Sequence, residues 1–297
     1  MQATSTQPPS ILGTTTSAGN RRAWGIVRAL YSRPTSAISV SIVLLFLLLA
    51  LIGPWIAPYG VNEQIVADAR QGPSATHWFG TDNLGRDVFS RVILGARAVI
   101  GLSGGGTLMA VTIGTILGLI SGYRGGWFDE ILMRIFDSLM SIPVLLLALL
   151  LLGTLGRSRN SVLLVIAVVY APIVARVVRS VVLSIKSKGF VEAARLRGES
   201  TAYILGREIL PSVLPALTVE AALRFSYSIF LVASLGFLGI GVQPPSPNWG
   251  MMVNEARLYM QQLPWAIYAP ILAIALLVIS VNLMADALKR VLQQREG

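Results

Sequence analysis

The chain has 297 residues and is 54% hydrophobic. Only 13% of it is charged, against roughly 25% in an average soluble domain. That deficit, with several long apolar runs, excludes an ordinary soluble domain and implies a membrane protein. The formal net charge of +10 comes from basic residues beside those runs, as membrane topology requires, so nucleic-acid binding is not expected. With no cysteine there is no disulfide, thiolate metal site or Cys nucleophile, and the single His77 has no second histidine to share a metal.

Residues 1–20, rich in Thr, Ser, Gln and Gly, read as a disordered stretch within a tail covering 1–35. Arg21, Arg22, Arg28 and Arg33 follow, and no apolar run precedes Ala37, so no cleavable signal peptide is expected. A first transmembrane helix is predicted over 36–56, its apolar stretch from Ala37 to Ile56 being long enough for the hydrocarbon core. Trp55 suits the interface at its far end. An external loop over 57–96 carries Asp82, Arg86 and Asp87, which are expected to pair within it. The main transmembrane domain, residues 97–286, is expected to hold five more helices. They cover about Val99–Tyr123, Leu139–Leu155 (extending back over the apolar Ile131–Phe136), Ser161–Leu183, Val213–Ile240 and Trp265–Asp286. Gly114, Gly118 and Gly122 lie four apart on one face of the second, which lets another helix approach closely. Pro172 is a kink site in the fourth. Residues 287–297 form a short tail.

Six spans put both ends on one side. With the N-terminus in the cytoplasm, 16 of the 24 Lys and Arg residues fall on inner segments, so both termini are expected to be cytoplasmic. This places the polar insert 186–211 in the cytoplasm too. Its Phe190–Arg197 stretch is rich in helix formers, Gly198 can take φ > 0 and turn the chain, and Thr201–Leu210 reads as a second helical stretch ending at Pro211. A short helix, a turn and a second helix lying on the membrane form a unit able to transmit a push. An ordinary amphipathic loop would show the same spacing.

Glu192-Ala193-Ala194, Gly198 and Ile209-Leu210-Pro211 resemble the EAA loop of the membrane subunits of bacterial ABC importers. His77-Trp78-Phe79-Gly80-Thr81-Asp82, Gly85–Arg91 and Gly95-Ala96-Arg97 are similar to the block after the first span of dipeptide/oligopeptide permeases. So are Leu235–Gly239 with Gln243-Pro244-Pro245, Pro247 and Trp249-Gly250, and Asn282-Leu283-Met284 with Asp286. The chain is most similar to the C-type membrane subunit of that family. The resemblance implies an all-α polytopic membrane protein with six transmembrane helices and the type I ABC importer permease fold. It also implies a sister permease as heterodimer partner, two cytoplasmic ATPase subunits, an external solute-binding protein and surrounding membrane lipid, in a bacterial cytoplasmic (inner) membrane.

By the same resemblance, Glu192, Ala193, Ala194, Gly198, Ile209, Leu210 and Pro211 couple to the ATPase. The solutes would be di- or oligopeptides, with nickel chelates, glutathione or opine-like solutes as alternatives. No cofactor is expected in this chain: Lys186, Lys188 and Lys289 follow Ile, Ser and Leu, never the Gly of a phosphate-binding loop, so ATP and Mg belong to the partner subunits. Glu220 and Arg224, four apart within the fifth span, are candidate pathway residues, and a self-neutralising ion pair is the alternative. An ion-coupled secondary transporter would call for inverted repeats, and none is evident. A membrane enzyme would call for paired catalytic groups within the spans, and only Glu220, beside an Arg, qualifies.

Overall fold

The computed structural model describes Tyr31, residues 33–243 and residues 246–293. The expected disordered stretch, most of the N-terminal tail, Pro244-Pro245 and the last four residues lie outside the described residues. The described residues are helical, with one isolated bridge (Thr81 with Asp87) and no strand. The helices are α1 Pro34–Ile56, α2 Val88–Arg124, α3 Gly126–Met140, α4 Val144–Leu155, α5 Arg159–Ile185, α6 Gly189–Leu196, α7 Leu210–Phe237, α8 Trp249–Ala256 and α9 Pro264–Gln293. Five of them (α1, α2, α5, α7 and α9) are long and apolar enough to cross a membrane.

The expected third span differs from a simple helix. It is a broken pair, α3 and α4, whose axes turn by 94°. The break falls on Ser141-Ile142-Pro143. Proline has no N–H to continue the helical ladder and pushes the residue before it out of helical geometry. The start of α3 has its own cause: Gly125 and Gly126, at φ 64° and 62°, separate it from α2 in a conformation that suits glycine.

Helices α2 and α5 pack most tightly, and sequence explains the contact. A Cβ placed on Gly118 would sit 2.5 Å from the Ala175 carbonyl oxygen, and one on Gly114 would sit 2.7 Å from that of Ala171. Gly122 meets the Val182 side chain in the same way. The glycine stripe thus receives the valines of α5 at backbone distance. Gly106 faces Ile166, Gly114 Val174, Gly118 Val178 and Gly122 Val182, so numbers rise together and the two helices run parallel. Parallel neighbours require the chain to return between them, which makes α3–α4 one crossing and the total six. Along α7 the order reverses: Thr107 bonds Ser228, while Leu119 packs in one cluster with Val213.

The loop after α1 is a folded, ion-paired element, but its charges do not pair only among themselves. Asp82 takes Arg86 at 2.6 Å and Arg91 at 2.7 Å, and both arginines reach Glu255 at the end of α8, at 2.6 and 3.4 Å. Asp87 caps α2 by accepting from Ser90 N (2.7 Å), and its other oxygen accepts from His77 Nδ1 at 3.0 Å. Trp249 is fully buried and donates to the Val92 carbonyl (2.9 Å), while Trp265 donates to that of Thr81 (2.9 Å). This face is therefore a braced plate over the ends of α2, α7 and α9.

Candidate functional site

The polar insert forms a compact elbow. Helix α6 ends in a Schellman turn: Gly198, at φ 76°, donates to the Arg195 carbonyl (2.9 Å) and Glu199 donates to that of Ala194 (3.2 Å). No heavy atom lies within 4 Å of a Cβ at Gly198, so the glycine is required by backbone geometry and not by crowding. Ser200 then caps the next helical turn by accepting from Tyr203 N (3.2 Å).

The second helical stretch does not end at Pro211. It runs through one helical turn (Thr201–Tyr203) and a π-helical segment (Ile204–Ile209) straight into α7. Pro211 at the first turn of α7 lacks the N–H that a tighter ladder would use, and a wide π turn is one way to carry a helix past such a point. The elbow is thereby rigidly joined to a membrane span.

One side of the elbow is fixed and the other is free. Val191, Ala194, Ile204 and Ile209 are buried against Leu119, Val174–Ile185 and Val213, at the ends of α2, α5 and α7. Arg195 lies over the Tyr123 ring and donates to its hydroxyl at 3.1 Å. Facing away are Phe190, Glu192, Ala193 and Leu196, the last 89% exposed. The adjacent alanines thus divide: Ala193 points outward, while Ala194 packs inward. Ile209 is a packing residue, Leu210 is half-buried, and Gly198 and Pro211 are exposed.

The second candidate group lies on α7, the helix that the elbow continues into. Glu220 and Arg224 are the eleventh and fifteenth of its 28 residues, midway along the span. Their facing atoms, Glu220 Oε1 and Arg224 Nε, are 2.7 Å apart, yet out of alignment for a hydrogen bond. The guanidinium also sits 4.7 Å from the Tyr227 ring centre and 5.7 Å from that of Tyr170. Three cavities follow α7 in succession. One of about 420 Å³ includes Glu220, Asp286 and Lys289. One of about 290 Å³ includes Arg224, Tyr170 and Tyr227. One of about 610 Å³ continues past Phe230 to Phe237. The structure keeps the two candidate groups apart, with Glu220 ten residues (roughly 15 Å) along the helix from Leu210.

Sequence reasoning missed one further cluster. Arg176 and Arg179 of α5 clamp α3. Arg179 holds Asp129 with two bonds (2.6 and 2.5 Å), Ser121 also bonds Asp129, and Arg176 pairs with Asp137. The eight-residue spacing of the two aspartates on one helix was the available signal.

Residues 114–296 match the family described as the binding-protein-dependent transport system inner membrane component. Residues 22–73 match the N-terminal transmembrane domain of oligopeptide transport permease C. The chain belongs to the binding-protein-dependent permeases. It is 38% identical over 258 residues to the dipeptide transport system permease protein DppC of Alkalihalophilus pseudofirmus, covering 87% of this chain and 85% of the relative. It is 40% identical over 273 residues to the glutathione transport system permease protein GsiD of Escherichia coli, covering 92% and 89%. The GsiD protein of Pectobacterium atrosepticum is 39% identical over 254 residues, covering 85% and 84%. The chain is therefore an all-α, multi-pass membrane permease of the ABC importer type, a transport component and not an enzyme.

Proposed function

We propose that this permease moves di- or oligopeptides across the bacterial cytoplasmic membrane, with both termini in the cytoplasm. Its working partners are a sister permease, two ATPase subunits that hold ATP and Mg, and an external solute-binding protein. Helix α6 is the coupling element. The observation that carries this is its two-sided build: the inward side is locked to three span ends, while Phe190, Glu192, Ala193 and Leu196 are exposed on the other side. A push on that side passes through Ile204–Ile209 into α7, which lines the three cavities. Gly198, Ile209, Leu210 and Pro211 hold the elbow's shape, and Ala194 seats it.

Glutathione is the second reading, since the relatives of that name are as similar to this chain as the dipeptide permease. Uptake of labelled dipeptide and of labelled glutathione, in cells deleted for the chain and then restored, decides between them. Uptake of dipeptide that needs both the chain and ATP is expected. If only glutathione uptake follows the chain, the dipeptide reading is replaced. For the elbow, Glu192→Arg is expected to reduce co-purification of the ATPase subunits and uptake by at least tenfold while the chain stays in the membrane. Unchanged co-purification and uptake would remove α6 from the coupling role.

A further inference from the structure

The ion pair at mid-span has an unusual incompleteness. Arginine carries five N–H donors in a planar fork that matches a carboxylate edge to edge. Arg224 does not use its fork that way. The closest approach, Nε to Glu220 Oε1 at 2.7 Å, is misaligned, and Arg224 makes no hydrogen bond among the described residues. Nothing forces this by distance, because partners four apart on a helix share a face. Instead the guanidinium lies within cation–π distance of the Tyr170 and Tyr227 rings, at 5.7 and 4.7 Å, and lines the cavity of about 290 Å³ with them. That cavity shares Leu145 and Phe230 with the larger one leading along α7 toward Phe237.

We propose that Arg224 is the residue that reads the carboxylate of the transported solute, with Glu220 its resident stand-in. The inference rests on the peptide-importer reading and names what that pathway recognises. With the pathway empty, the pair neutralises itself, which a charge midway through a bilayer requires. An incoming carboxylate offers two aligned acceptors where Glu220 offers one poorly aligned contact, so it takes the fork. Glu220 is then released toward the lower cavity that it lines with Lys289. The tyrosine rings hold the guanidinium beside the cavity, and the apolar cavity beyond Phe230 accepts side chains of varied shape. Tyr170 is pinned for this task by its hydroxyl, which donates to the Tyr227 carbonyl at 3.1 Å.

The test uses the complete transporter with its binding protein in proteoliposomes. Uptake of a dipeptide with a free C-terminus is compared with uptake of the same dipeptide as its C-terminal amide. The binding protein is common to all samples, so a change in the ratio belongs to the permease. The expected result is that Arg224→Gln cuts the preference for the free acid on the order of tenfold, as loss of a charge-assisted bond predicts. Arg224→Lys is expected to retain part of the preference. Should Arg224→Gln fail to assemble, Glu220→Gln/Arg224→Gln leaves no unpaired charge and is read in its place, with the same loss expected. An unchanged ratio in the variant that assembles overturns the proposal. Failure of the peptide reading looks different: the unaltered transporter would then carry neither dipeptide.

Discussion

At the scale of single residues, Gly198 and Gly118 show two distinct reasons for a glycine. Gly198 has open space around it and a left-handed backbone, so its requirement is conformational. Gly198→Ala is expected to cost about 1 kcal/mol through φ alone, and Gly198→Asn less, because asparagine tolerates that region. Thermal unfolding of the purified transporter measures the order, and equal effects of Ala and Asn would contradict it. Sequence made this residue legible because a helix former run ending in glycine has one economical geometry. The neighbouring alanines were not separable that way, since Ala193 and Ala194 are chemically identical. Only the placement of Val191 and Ile209 in the core shows which one turns inward. Arg224 was visible as a charge in an apolar run, but its aromatic clamp was not: Tyr170 comes from another helix, and no sequence period links them.

At the scale of elements, the helices were legible where one face is repetitive and illegible where tertiary charge decides. The four-residue glycine stripe forecast the α2 contact but not its partner, α5. Gly118→Ala drives a methyl group onto the Ala175 carbonyl and is expected to destabilise by about 1–3 kcal/mol. Gly153→Ala, in open space on α4, is expected to be neutral or stabilising. Comparison of their melting temperatures checks the contact; equal shifts would contradict it. The third span was misread as one helix because its apolar residues are continuous across Pro143. What holds the first half, α3, in place is the pair of Asp–Arg clamps to α5. Asp129→Asn strands part of the Arg179 charge and is expected to cost on the order of 1–3 kcal/mol. Adding Arg179→Met is expected to recover part of that loss, since no unpaired charge then remains. A double variant less stable than the sum of the singles would show that the clamp is not the reason α3 stays.

At the scale of the whole molecule, orientation follows from crossings and charge together. Parallel packing of α2 and α5 makes the bent pair a crossing, so the loop holding Val66 and the elbow holding Leu196 lie on opposite sides. The excess of basic residues supports the proposed cytoplasmic side for the elbow. The chain contains no cysteine, so a single introduced thiol reports its own side without background. Val66 and Leu196, 80% and 89% exposed, are the natural positions, since neither substitution disturbs packing. A membrane-impermeant maleimide applied to spheroplasts is expected to label Val66→Cys at once and Leu196→Cys only after the membrane is opened. Labelling of both before opening would mean an even number of crossings between them, not the three of the six-crossing arrangement, and would undo that count. Labelling of Leu196→Cys alone would keep the count and invert the orientation, moving α6 out of reach of any cytoplasmic ATPase. The coupling role and the topology thus stand or fall on one accessible position, because a helix can be pushed only from the side it faces.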